Sequence, residues 1–267
     1  MRLAHFILVV VAASVPGCAT DDADDTSLAD DEIIGGKREA GYLATGFFLT
    51  ADGRLGCSGT LIAPEVVLTA AHCSDTTLSR FGLGTKTSAG AVEVDHVYRH
   101  RAFTRTTAHS DLAVVHLAAA PAMKDGTTPA PALLDTRAVT PEIGLVTVGY
   151  GRTSTQATSG PRKSAELVLD GLSGDALLAR WGTGSICRGD SGGSLYRKGE
   201  GVLVGVTSGR VPGADPPGTC SRDQIARFTQ VASHQGFLDD AMACVLPTTD
   251  GRLPTGCLVH TKDDPKP

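Results

Sequence analysis

Aromatic residues are scarce in this 267-residue chain: one Trp, four Tyr and seven Phe make up 4%. Basic residues are not in excess either, the formal net charge being −5. A basic stripe interleaved with aromatics is therefore missing, and nucleic-acid binding has little support. No apolar run reaches the length of a spanning helix. Helical heptads, fixed-period repeats, a P-loop, a dinucleotide fingerprint, HExxH and His/Cys clusters at zinc spacing are all lacking as well, so neither nucleotide nor metal is expected.

The amino-terminal residues have an export character. Arg2 precedes the apolar stretch FILVVVAASV, and Pro16-Gly17-Cys18 forms a small-residue exit. The stretch VPGC is similar to a bacterial lipobox, which would place lipid on Cys18; a general secretory cut nearby is the alternative. Residues 1–17 are read as signal and 18–32 as an acidic tether or propeptide, because DDADDTSLADDE carries seven acids and no base. Without residues 1–32, 23 bases face 22 acids and the rest is nearly neutral. Setting Cys18 aside leaves six cysteines, 57, 73, 187, 220, 244 and 257, enough for three bridges in an oxidising compartment.

From Ile33 onward, short apolar runs such as ATGFFLT, AVEVDHVY, DLAVVHL, GLVTVGYG and SAELVLDG alternate with turn-rich stretches. The pattern predicts an all-β fold of antiparallel barrels or a sandwich. A polar loop is expected over residues 151–165, and QVASHQGFLDDAMAC, residues 230–244, is the best helix candidate.

Three stretches carry chemistry. In CRGDSGGSL, Ser191 stands between Asp190 and two glycines; alone this is a turn signal. In LTAAHC, His72 precedes Cys73, and a bridge from Cys73 to Cys57 would close a short loop worth about 3 kcal/mol and hold the imidazole firmly. In HSDLAVVHL, Asp111 opens a strand-forming run, where a carboxylate is costly to bury without a hydrogen-bond partner such as an imidazole N–H.

Together, IIGG (33–36), TAAHC, DLAVV and GDSGG, in that order, resemble the trypsin-like serine endopeptidases of the chymotrypsin fold, with VGYG (148–151) adding to the likeness. The resemblance covers residues 33 to about 240. It implies two six-stranded antiparallel barrels, about 33–140 and 141–240, and a C-terminal helix within a peptidase domain of 33–267. It further implies His72, Asp111 and Ser191 as catalytic triad, the N–H groups of Gly189 and Ser191 as oxyanion hole, and a Cys187–Cys220 bridge. Cleavage before Ile33 would free an amine that pairs with Asp190, making the uncut chain a zymogen.

Departures from the family pattern shape the specificity expected. Glu32 precedes Ile33 where trypsin-activated relatives carry Arg or Lys, so the activator is another protease or the enzyme itself. Ser185 occupies the position of the pocket aspartate, which disfavours Lys or Arg at the cleavage site. Ser208, Gly209 and Arg210 would line the substrate cleft, Arg210 pairing with an acidic side chain or turning to solvent. Ser194 stands where proline is usual. Cys244 and Cys257 lie beyond the family's span, and their pairing would staple the extra tail to the body.

The expected partners are a protein or peptide substrate and an activating protease, with a membrane only through lipid on Cys18. No cofactor is expected, and the chain is read as a monomer exported to a bacterial cell envelope or secreted. The competing reading is a catalytically silent binding or adhesion lipoprotein on the same fold.

Overall fold

The computed structural model describes residues 33, 35–76, 78–87, 90–152, 160–211, 220–221 and 224–245. The signal, the tether with Cys18 and Glu32, and the tail with Cys257 lie outside the described residues. Strands are β1 (Lys37–Arg38), β2 (Thr45–Thr50), β3 (Leu55–Ala63), β4 (Val66–Thr69), β5 (Leu78–Gly82), β6 (Ala91–Arg99) and β7 (Ala113–Leu117). They continue with β8 (Leu145–Gly149), β9 (Lys163–Ser173), β10 (Ala176–Trp181), β11 (Ser194–Arg197), β12 (Leu203–Arg210) and β13 (Ala226–Gln230), and the helix is α1 (Gln235–Val245).

β2 to β7 close into one antiparallel barrel in the order β2-β3-β4-β7-β6-β5. The second sheet runs β9-β10-β13-β12-β11-β8, and β8 pairs back onto β9 to close six strands, with β1 added to the outside of β9. The expected fold of two six-stranded antiparallel barrels and a C-terminal helix is therefore what the chain adopts. Closure leaves neither barrel an open edge.

Inward residues fill each barrel: Phe48, Leu61, Val67, Phe81 and Val115 in the first, Leu167, Leu177, Leu195, Val204 and Phe228 in the second. The helix begins later than residue 230, because Gln230 still pairs with Gly205 across the sheet and a 3-10 turn over Ala232–His234 intervenes. The polar loop likewise ends at Arg162, since Lys163 already pairs with Gly149. α1 returns to the first barrel, where Phe237 stacks on Tyr98 with ring centroids 5.5 Å apart.

Hydroxyl groups mark the junction between barrels. Ser194, fully buried, shares hydrogen bonds with Thr45 (2.7 Å) and Thr60 (2.6 Å) of the first barrel. The serine found in place of proline is thus a polar rivet, and the two threonines are its counterparts. Arg162 is also buried and donates to the carbonyls of Glu39, Ala40 and Thr45 at 3.2–3.3 Å.

Candidate active site

β4 delivers its chain into the cleft between barrels. Its apolar run Val66–Thr69 ends at Ala70, and the small residues Ala70 and Ala71 let the backbone tighten into a 3-10 turn, Ala71–Asp75, that carries His72. The next residue, Cys73, is bonded to Cys57 on β3, with Cα atoms 6.2 Å apart. The imidazole therefore rides on a short turn fastened at its base.

Asp111 lies just before β7 with 1% exposure. Its carboxylate accepts from the His72 backbone N–H (2.9 Å) and from His72 Nδ1 (2.7 Å). A third hydrogen bond comes from the Ser208 hydroxyl on β12 (2.6 Å). Three donors meet the hydrogen-bonding demand of a buried carboxylate. The arrangement fixes the proton on Nδ1 and leaves Nε2 as the basic atom.

The residues leading to Asp111 are held by the second barrel, a support the sequence did not disclose. Ala108 and Ser110 both have φ +51°, sparsely populated for residues with a side chain. Asp175, in the turn between β9 and β10, accepts from the Ser110 N–H at 2.5 Å, and Arg227 on β13 donates to the Ala108 carbonyl at 3.2 Å. Asp175 also lies 3.2 Å from His234 Nε2.

Ser191 sits in a turn clamped from both sides. Its carbonyl accepts from the Ser58 N–H of β3 (2.8 Å), while Gly192 donates to the Thr207 carbonyl of β12 (2.7 Å). A side chain at Gly192 would meet Thr69 Oγ1 at 2.1 Å and the Ser58 carbonyl at 2.3 Å, at φ +78°. Only glycine lets the turn come this close to the strands that lead to His72. No hydrogen bond joins Ser191 to His72 among the described residues; such contacts are often long before substrate arrives.

Gly189 has φ +98°, and a Cβ there would lie 3.0 Å from both Gly151 Cα and Leu55 Cδ2. Its carbonyl accepts from the Ser58 hydroxyl (2.9 Å), and the same hydroxyl accepts from the Tyr150 N–H (3.2 Å). Ser58 thus braces the 189–191 segment from the first barrel. Sequence reading missed it because its partners lie far along the chain.

Asp190 is buried and accepts from the Gly151 and Cys187 N–H groups, each at 2.8 Å. Burial pushes its pKa up to about 7, with those two donors opposing the rise. No ion pair reaches it among the described residues. The Ile33 side chain is buried too, at φ +51°.

The Cys187–Cys220 bridge is present. Ser185 is buried, and its hydroxyl has no hydrogen-bond partner among the described residues. Gly209 lies at a register shift between β12 and β13, and Arg210 donates to Gln224, so its guanidinium is engaged rather than loose in solvent. Cys244 is buried on α1, while its expected partner Cys257 lies outside the described residues.

Known proteins share the family and the fold. Chymotrypsin-C of Mus musculus is 31% identical over 168 residues, covering 52% of this chain and 60% of that protein. Trypsin Blo t 3 of Blomia tropicalis is 27% identical over 180 residues, covering 57% and 66%. The chain thus spans about two thirds or less of these relatives. Among solved structures, mouse neuropsin, a serine protease, superposes with a TM-score of 0.63 at 20% identity, covering 78% of this chain and 98% of that one. Human heparin binding protein superposes with a TM-score of 0.65 at 20% identity, covering 77% and 95%; both likenesses bear on fold. The model of the Trypsin family matches residues 33–233, three quarters of the sequence, and the chain belongs to that family.

Proposed function

We infer that the chain is a serine endopeptidase made as an inactive precursor. The observation that carries this reading is the buried Asp111 carboxylate bonded twice to His72, beside a Ser191 turn clamped between the barrels. In the proposed reaction the Ser191 hydroxyl attacks a peptide carbonyl as His72 Nε2 takes its proton. The tetrahedral oxygen is held by the N–H groups of Gly189 and Ser191, each such donor typically worth about 10²–10³ in rate. His72 then protonates the leaving amine, and water hydrolyses the acyl-enzyme by the same relay in reverse. Asp111 keeps the imidazole in its working tautomer and supports its positive charge.

Cleavage before Ile33 would create an ammonium group for Asp190. A buried carboxylate with two amide donors and no cation among the described residues is incomplete, and the new amine would supply its counter-charge. Glu32 makes an activator that cuts after Lys or Arg unsuitable, so another protease, or the enzyme itself, processes the tether. Ser185 gives the pocket no anion, which disfavours Lys or Arg in substrates. Ser208, Gly209 and Arg210 form the adjoining wall.

The two disulfides fit an oxidising, exported location. A lipid on Cys18 would hold the precursor at a membrane, and the cut before Ile33 would release the enzyme as a monomer.

The test is the intact mass of processed protein after treatment with a fluorophosphonate that labels activated serines. One adduct on a chain beginning at Ile33, absent from Ser191→Ala, supports the peptidase. A chain beginning at Ile33 that takes no label makes it a silent binding protein.

A further inference from the structure

A second cluster of chemically active side chains lies on the outside of the first barrel, away from the cleft. β6 and β7 are paired antiparallel, with Val94 opposite Leu117 and His96 opposite His116. The register shifts between them, so Asp95 is an extra residue, a β-bulge. In a regular strand Asp95 and His96 would face opposite sides of the sheet; a bulge re-aims them. Here both approach His116.

The result is a tight group. His116 Nδ1 lies 3.0 Å and His96 Nδ1 2.8 Å from the same oxygen, Asp95 Oδ2. One ligand atom from each of the three residues lies within 4.8 Å of the others. The ligand atoms of tetrahedral zinc stand about 3.3 Å apart, so the two His–Asp95 separations of 2.8 and 3.0 Å lie within a few tenths of an ångström of that spacing. His96 Nδ1 is buried and, despite the 2.8 Å approach, has no hydrogen-bond geometry to Asp95. His116 Nδ1 is hydrogen-bonded to the same oxygen, and an arriving metal ion would displace that proton, as ligation by imidazole requires.

The surroundings fit as well. The other nitrogen of His116, Nε2, is also buried and without a hydrogen-bond partner among the described residues; the nearest carboxylate is Glu65 Oε2, 3.8 Å away. A carboxylate that accepts from the second nitrogen of a ligating imidazole orients it and raises its basicity, and Glu65 has about 1 Å to close before it does so. Glu65 is held there because its carbonyl accepts from the Leu117 N–H at 2.8 Å. His116 is 13% exposed, His96 30% and Asp95 41%, which leaves the solvent side open for a water ligand. The other metal-like grouping, Cys57, His72 and Cys73, is unavailable because its cysteines are bonded to each other.

We propose that Asp95, His96 and His116 form a binding site for a divalent transition-metal ion, with zinc as the best match, oriented by Glu65. Two imidazoles and one carboxylate are donors that zinc takes readily. The ion would clip β6 to β7. From Asp111 to His116 is about 16 Å along an extended chain, so the ion stabilises the first barrel and stays out of the peptidase chemistry. A scan for zinc spacing overlooks it, because the ligands come from two strands and one owes its direction to a bulge.

The test is zinc titration of full-length chain carrying Ser191→Ala, which keeps it intact whether or not the peptidase reading holds. One equivalent should bind saturably, and at a hundredfold excess over the dissociation constant the thermal midpoint should rise by about 5–10 °C. Cobalt(II) in its place should give the visible bands of a tetrahedral site. His96→Ala and His116→Gln should lose both signals, and Glu65→Gln should weaken zinc binding about 10–100-fold. His72→Ala should keep both. Absent saturable binding, binding untouched by His96→Ala, or binding lost with His72→Ala would each overturn the proposal. His96 is the more exposed histidine, so its variant decides the matter if His116→Gln does not fold.

Discussion

Asp111 and Asp190 are both buried carboxylates, yet their surroundings assign them opposite tasks. Asp111 is met by an imidazole, an amide and a hydroxyl. Replacing it with asparagine should cost about 10⁴-fold in kcat, because the amide stabilises the wrong tautomer of His72; steady-state hydrolysis of a peptide library would measure it. Among the described residues of the uncut chain Asp190 meets only amides, and burial pushes its pKa up to about 7 from an ordinary 3.8. The folded precursor therefore holds this proton more tightly than the unfolded chain does. That favours folding below about pH 4, and the contribution, on the order of 4 kcal/mol, is lost as pH rises through about 7. Once Ile33 carries a free ammonium the carboxylate is favoured and the slope reverses. Thermal midpoints across pH 4–8 should thus fall for the precursor relative to its Asp190→Asn variant, and should not fall for the processed chain. Parallel profiles would contradict the ion-pair switch.

At the scale of elements, the two chains of support behind the proposed triad can be separated by experiment. The Cys57–Cys73 bridge fastens the turn of His72 to β3, and replacing both cysteines with alanine should lower stability by about 3 kcal/mol, read as a drop in thermal midpoint. The Asp175 contact acts on the segment before Asp111, so Asp175→Ala should reduce kcat far more than it changes KM, with Asp175→Glu recovering part of the loss. Sequence reading found the strands whose residues alternate or whose motifs are strong, such as β6, β7 and β8. It did not mark β10 or β13, because ALLARW and ARFTQ are short and lack a clean alternation. It singled out His72, Asp111 and Ser191 because their motifs are contiguous. Ser58, Asp175 and the Asp95 cluster were not legible: each owes its place to a contact across sheets or to a bulge, and neither leaves a local pattern.

For the molecule as a whole, the polar junction between barrels replaces part of an apolar interface. Arg162 closes three carbonyls of the 39–45 segment, and exchanging it for methionine leaves those of Glu39 and Ala40 without a donor, while that of Thr45 keeps the Tyr150 hydroxyl at 3.1 Å. Stability should fall by on the order of 3 kcal/mol in denaturant unfolding, the methionine filling most of the volume but none of the hydrogen bonds. The same anchorage has a consequence for switching. Lys37 and Arg38 are paired with Ser164 and Lys163 on β9, respectively, and Arg162 grips the next two residues, so a chain cut before Ile33 would have an end of only four residues, 33–36. An end that short sweeps a radius of about 14 Å, and its effective concentration near its own barrel is in the millimolar range or above. In the proposed activation the amine, once made, is a resident rather than a visitor: dilution would not draw it away, and the cut alone would set the pace.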